Sequence, residues 1–404
     1  MLYTFWFLAA VVVGNDPIVL SGTAFLAYFT RVTGIVDPTA WTFSQFIAAN
    51  VASAVLVSSN PTNVLLAGAF KLNFITGYTA YTVLPSLATA FVAFPQTYLS
   101  FTYFHPSSRS TISDSHPRQA FIPSKLLPPD VDSRSALLDK NGAIFHASLL
   151  IVTLAVLVGT SFVPGGKVEV WMVTAAGGLL GFFRDIWSER SIKAHFKASI
   201  IELEEIPPQN GSRSPPKLTR LSLPTILQYL SRRFPTTCST ISRLPLSLLP
   251  FAGGVFILAR SLTSLGWTSI WATWLSRICI TPSRTVFFLG FFIPLILCPL
   301  FGTNIGAAIL SVEILRDANF ALSPHVLADP RIMKGAIFST AMASNVGAVS
   351  WCFSASLAGL LWESILRQKG IKVRRRAFAG WNLAFLPVLA GTASVVVLLE
   401  ILYW

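Results

Sequence analysis

Polar residues break the apolar runs of this chain at a few fixed places, and their types set the chemistry they can do. In the first half the breaks are Gly14-Asn15-Asp16-Pro17, Asn50-Val51-Ala52-Ser53 and Ser58-Ser59-Asn60-Pro61-Thr62-Asn63. In the second half they are Gly302-Thr303-Asn304-Ile305-Gly306, Ser344-Asn345-Val346-Gly347 and Ser354-Ala355-Ser356. Amides and hydroxyls both donate and accept hydrogen bonds without carrying charge, which suits a desolvated ligand that must be bound and then let go. Pro61 lacks a backbone donor and interrupts a helix. Carbonyls freed at such a break can hold a cation, and the helix that restarts near Val64 turns its partly positive N-terminus toward an anion. The predicted ligand is a small anion or polar solute. Its candidate contacts are Asn15, Asp16, Asn50, Ser58, Ser59, Asn60, Thr62, Asn63, Thr303, Asn304, Ser344 and Asn345. Asp16 has two readings, a group coupling transport to a proton or sodium ion, and an N-cap for a helix started by Pro17. Glu400, near the C-terminal end, is left out of the site.

The elements that must position these residues are helices in lipid. The chain has 404 residues, of which 53% are hydrophobic and 12% charged, with a mean hydropathy of +0.63. A soluble domain carries about 25% charged residues, so half that value leaves too little polar side chain to cover a surface in water. The fold class expected is an all-α polytopic membrane protein. Several apolar runs are shorter than the roughly 20 residues that span hydrocarbon, and these read as broken helices and re-entrant hairpins around the polar breaks. From Asn50 to Asn60 is ten residues, and Asn345 precedes Ser354 and Ser356 by nine and eleven. That correspondence predicts an inverted-repeat transporter, with a first repeat over 1–104 that is N-terminally short and a second over 245–404. A polar loop (105–140), a membrane hairpin (141–183) and a basic Pro/Ser-rich loop (184–244) lie between them.

The net charge of +13 comes from 30 Lys and Arg against 17 Asp and Glu. Twenty-one of those 30 cations fall in 105–140, 184–244 and 367–376. Placement between apolar runs argues for the cytoplasmic face of a membrane, and against nucleic acid as a partner. The 184–244 loop also holds the sequon Asn210-Gly211-Ser212, which a cytoplasmic position leaves without a glycan. The four cysteines (Cys238, Cys279, Cys298, Cys352) have no metal-binding spacing and read as small buried hydrophobes. Gly166-Lys167 lacks the remainder of a phosphate loop, and the scattered histidines form no nucleophile–base pair. No catalytic residue, metal site or cofactor is expected, a coupling ion apart, and an enzyme is disfavoured.

Gly14-Asn15-Asp16-Pro17, and Val57 to Asn63 followed by Gly77-Tyr78, resemble the first half of the arsenite permease family. That family shares a superfamily with citrate and dicarboxylate carriers and sodium/proton antiporters. The second half is similar in layout, with the break from Asn345 to Ser356, the run Leu357-Ala358-Gly359-Leu360-Leu361-Trp362, then Leu366-Arg367-Gln368-Lys369-Gly370 and a last helix containing Pro387. The resemblance implies scaffold helices, two re-entrant hairpins with a substrate site between their tips, and elevator movement in a homodimer. It carries site roles to Asn15, Asp16, Ser59, Asn60, Thr62, Asn63, Thr303, Asn304, Ser344 and Asn345. The chain departs from the family at Ser344-Asn345-Val346-Gly347-Ala348, where an acidic residue and a Gly-Pro-Lys-like run are usual. It also opens at Leu2–Val13, about half a span, where the family has already passed its first scaffold helices. The function expected is secondary active transport of a small anion or oxyanion, arsenite-like or a carboxylate, by alternating access. The alternative is a non-transporting or partner-dependent membrane scaffold derived from such a carrier.

Overall fold

The computed structural model describes residues 1–35, 37–103, 139–160, 170–203, 234, 237–238, 241 and 248–404. Every regular element among them is helical. Among the described residues three helices are long and apolar enough to cross a membrane: Lys140–Thr160, Pro282–Leu300 and Arg375–Tyr403. The chain divides into two compact units, one from 1–131 with 252–404 and the other from 132–251.

The first unit buries polar side chains within its apolar interior and exposes large apolar ones. Gln45, Asn50, Asn63 and Asn345 are fully buried, whereas Phe91 is 81% and Ile257 70% exposed. Water would penalise that distribution and hydrocarbon rewards it. In the first half, α1 (Leu2–Val13) and α2 (Asn15–Val32) fold back on each other about Gly14, which brings Trp6 against Gly22. α3 (Thr39–Ala52) then stops at Ser53, and a 3-10 turn (Val57–Ser59) leads into α4 (Pro61–Ala69). α5 (Val83–Tyr103) returns antiparallel to α3, with Phe43 5.7 Å from Phe101 at one end and Thr82 Oγ1 donating to Val55 O at the other.

In the second unit, α6 (Lys140–Thr160) and α7 (Val170–Leu203) pack together. His146 Nε2 lies 2.9 Å from Asp185 Oδ1, and Arg184 bridges Asp139 and Asp185. The Gly142 amide, with Arg184 beside it, holds the Asp139 carboxyl below the usual carboxylate range. α7 runs well past the hairpin boundary expected at 183, because no proline interrupts the chain until Pro207. The rest of the basic loop, with the Asn210 sequon, lies almost wholly outside the described residues, as does most of the 105–140 loop.

The second half of the first unit also runs as helices broken by short turns. After α8 (Leu248–Ser264) and α9 (Trp267–Ile278), α10 (Pro282–Phe292) continues through a π turn (Ile293–Leu297) to Leu300. The chain reverses at Gly302 into α11 (Asn304–Arg316). α12 (Pro330–Val346) stops in the Gly347–Val349 and Phe353–Ala355 3-10 turns and leads into α13 (Leu357–Gln368) and α14 (Arg375–Tyr403). α14 is antiparallel to α12, since Gly335 lies beside Ile401 and Asn382 Nδ2 donates to Ser350 O at 3.0 Å.

Two apolar cores hold these elements. In one, Phe43 and Phe46 of α3 pack on Trp362 of α13 and Phe378 of α14, with Phe353 3.9 Å from Phe378. In the other, Leu275, Cys279, Leu289, Ile293 and Cys298 pack on Leu310, Leu315 and Phe320, with the two cysteines acting as small apolar side chains.

Candidate functional site

α3 begins beside Phe378, near the start of α14, and α12 begins beside Ile401, near its end. The two helices therefore enter from opposite ends and stop at one polar centre. Both breaks end in the same way. Asn60 is extended (φ −150°, ψ 137°), as a residue before proline must be, and its Oδ1 accepts from Thr62 N. Ser356 is also extended (φ −149°, ψ 157°), and its Oγ accepts from Gly359 N. Each is an N-cap that satisfies one of the amides a helix start leaves unpaired. α4 consequently starts at Pro61, one turn before the Val64 expected from the apolar run.

Asn345 is the hub of the centre. Its Oδ1 accepts from Ser53 Oγ and from Asn60 Nδ2, both at 2.8 Å. Its Nδ2 donates to Asn63 Oδ1 at 2.7 Å and to Ala341 O at 2.9 Å. Two donors and two acceptor positions are all that an asparagine side chain has, so Asn345 is saturated. Asn63 Nδ2 in turn donates to Ser53 O and Leu56 O, pinning the turn between α3 and α4. Ser53 closes the Asn50–Ser53 break and is not among the predicted contacts; its place three residues after Asn50 is the signal in the sequence that points to it.

Asn50 occupies the corresponding place on α3. Its Oδ1 accepts from Asn15 Nδ2 at 3.1 Å, and its own amide donates to Phe46 O. The α1–α2 tip is thereby tied to the break, and Ser59 Oγ reinforces the tie by donating to Val11 O at 2.6 Å. Gly14 has φ 97°, and a Cβ there would lie 2.8 Å from Ser59 O, so both conformation and space require glycine. Asp16 lies in the first turn of α2 beside this contact, half-buried, and no ion pair among the described residues involves it. It is not the N-cap. α2 begins two residues before Pro17, with Gly14 at the cap and Asn15 Oδ1 accepting from the Asp16 amide.

The remaining candidates fall into local roles. Thr62 Oγ1 donates to Asn63 Oδ1, and Ser58 Oγ is buried without a partner. Ser344 Oγ donates to Ala341 O in its own helix. Thr303 caps α11 and bonds Asn304, and among the described residues no hydrogen bond joins this pair to the Asn345 hub. The segment before them, Cys298–Leu300, packs on the Phe353–Ala355 turn, as α1 packs on Val57–Ser59. Helices α2, α4, α11 and α13 thus all begin at the two breaks or at the tips packed on them. Among the described residues no group of three His, Cys, Asp or Glu side chains is placed to hold a metal.

No protein-family model matches the chain, and no curated protein matches it significantly.

Proposed function

We propose that this protein is a multi-pass secondary carrier that moves a small anion or oxyanion, arsenite-like or a carboxylate, by alternating access. The observation that carries the reading is the meeting of two oppositely directed broken helices at the Ser53, Asn60, Asn63 and Asn345 cluster, each break with a helical hairpin tip packed on it. Irregular backbone is tolerated at membrane depth only where protein or a water-filled cavity satisfies it, and binding sites of inverted-repeat carriers use such places. The two halves are read as the two repeats, with α1–α2 and α10–α11 as re-entrant hairpins. Four helix N-termini supply partial positive charge for an anion without a fixed cation that would trap it. Asp16 stands beside the first tip as a candidate for the coupling ion. The basic stretches 105–140, 184–244 and 367–376 are read as cytoplasmic.

The full chain, reconstituted in proteoliposomes, is expected to show counterflow of radiolabelled arsenite or citrate, and Asn60→Ala and Asn345→Ala are each expected to reduce it at least tenfold. If neither solute exchanges while a co-purifying protein stays bound to both variants, the scaffold reading replaces the carrier.

A further inference from the structure

Outside the polar centre, α14 buries a carboxylate that nothing in the site uses. Glu400 is 5% exposed, and neither of its side-chain oxygens has a hydrogen-bond partner. Its neighbours follow from the packing of α12 on α14. Gly335 sits against Ile401 and Val286, and Lys334 and Glu400 each adjoin this contact in sequence. Lys334 acts electrostatically on Glu400, yet no ion pair forms between them. Instead Lys334 Nζ donates to Tyr81 Oη and lies 4.1 Å above the Tyr81 ring, which itself stacks on Phe338.

Other charged groups flank this end. Arg331 is paired with Asp329 at 2.8 Å, Arg284 stands near the start of α10 on the exposed side, and α5 carries no charged residue. One turn before Glu400, Val397 lines a cavity of about 10 Å³ between α10, α12 and α14. Ser339, whose Oγ is buried without a partner, and Ser394 line it too. Met342, Ala343 and Val346 complete the α12 side of its lining. A cavity of that size holds about one water, and its hydroxyls give that water partners.

A buried carboxylate without a partner is stable only when it is neutral or when a cation reaches it. We propose that Glu400 is a proton-binding site of the carrier, with Lys334 as an exchangeable counter-ion. With Lys334 held on Tyr81, a proton from the aqueous phase at the α14 C-terminal end bonds to a Glu400 oxygen. When that proton leaves, Lys334 gives up its hydrogen bond to Tyr81 and pairs with the carboxylate, so the two states of the site differ by one proton and one side-chain movement. This inference rests on the carrier reading for its purpose, and its direct test does not require transport.

The test is infrared difference spectroscopy of the full chain in lipid across a pH titration, with wild type, Glu400→Gln and Lys334→Met. Wild type is expected to show a protonated-carboxyl C=O band at neutral pH that Glu400→Gln lacks. Lys334→Met is expected to keep that band to a proton concentration at least about tenfold lower, a shift of about one pKa unit. Superimposable wild-type and Glu400→Gln spectra at every pH would overturn the inference. Should Glu400→Gln not fold, a titration unchanged by Lys334→Met overturns it equally. Arsenite or citrate counterflow that keeps its proton dependence in Glu400→Gln sinks this inference and spares the carrier. A titrating Glu400 in a protein that exchanges neither solute leaves the proton site standing and removes the carrier.

Discussion

At the scale of single residues, the centre depends on one amide. Replacing Asn345 by Ala removes four hydrogen bonds and leaves the buried Asn60 Nδ2 unpaired, while Ser53 Oγ keeps Asn50 O and Asn63 Oδ1 keeps Thr62 Oγ1. Such an unpaired group costs about 1–3 kcal/mol, so thermal unfolding in detergent should show a loss of that size, with counterflow lost as well. Glycines give a sharper contrast. Gly14→Ala meets both a left-handed backbone and the Ser59 carbonyl, and should lose about 1–2 kcal/mol or more. Gly68→Ala, on the exposed face of α4 with open space around it, should gain up to about 1 kcal/mol in the same assay. Sequence alone made Asn60, Asn63 and Asn345 legible, because an amide inside an apolar run has few uses other than binding or bracing. Glu400 was not legible. Its position in the sequence reads as an interfacial residue, and only the packing of α12 on α14 removes it from water.

At the scale of elements, caps decide where the half-helices start. Asp329 caps α12 by accepting from Arg331 N at 3.1 Å, and the Arg331 side chain holds its carboxyl below the usual range. A lowered pKa means that the stabilisation is present above the ordinary carboxylate value, near pH 4, and is lost as pH falls through the lower folded value. Asp329→Ala should cost about 1 kcal/mol at neutral pH. Asp329→Asn should keep most of the cap and flatten the acid side of a melting-temperature profile. Proline and Asx/Ser signals at 60–61 and 356 exposed both breaks in the sequence. The apolar pattern misplaced the start of α4 by one turn, since Thr62 and Asn63 are polar yet helical. Periodicity was equally unable to end α7 at 183, because the charged residues that follow are good helix formers and no breaker intervenes before Pro207.

At the scale of the whole molecule, the first unit is built from both ends of the chain. Phe43 and Phe46 from one half share a core with Trp362 and Phe378 from the other, so neither half can complete its interior alone. Residues 1–210 and 211–404, expressed together, should co-purify in detergent, and each expressed alone should fail to accumulate. Trp362→Ala, which removes about 3–5 kcal/mol of packing from that shared core, should abolish the co-purification. The composition made legible an all-helical fold with helices long and apolar enough to cross a membrane. The opposed directions of α3 and α12 were not legible, because hydropathy carries no sign for the direction in which a helix runs. That opposition has a mechanical result at Asn345. Three of its four partners belong to the other half of the chain, and hydrogen bonds tolerate only a few tenths of an ångström of stretch. Sliding between the halves must therefore break all three together, so the centre behaves as a latch that is either fastened or open, with no graded position between.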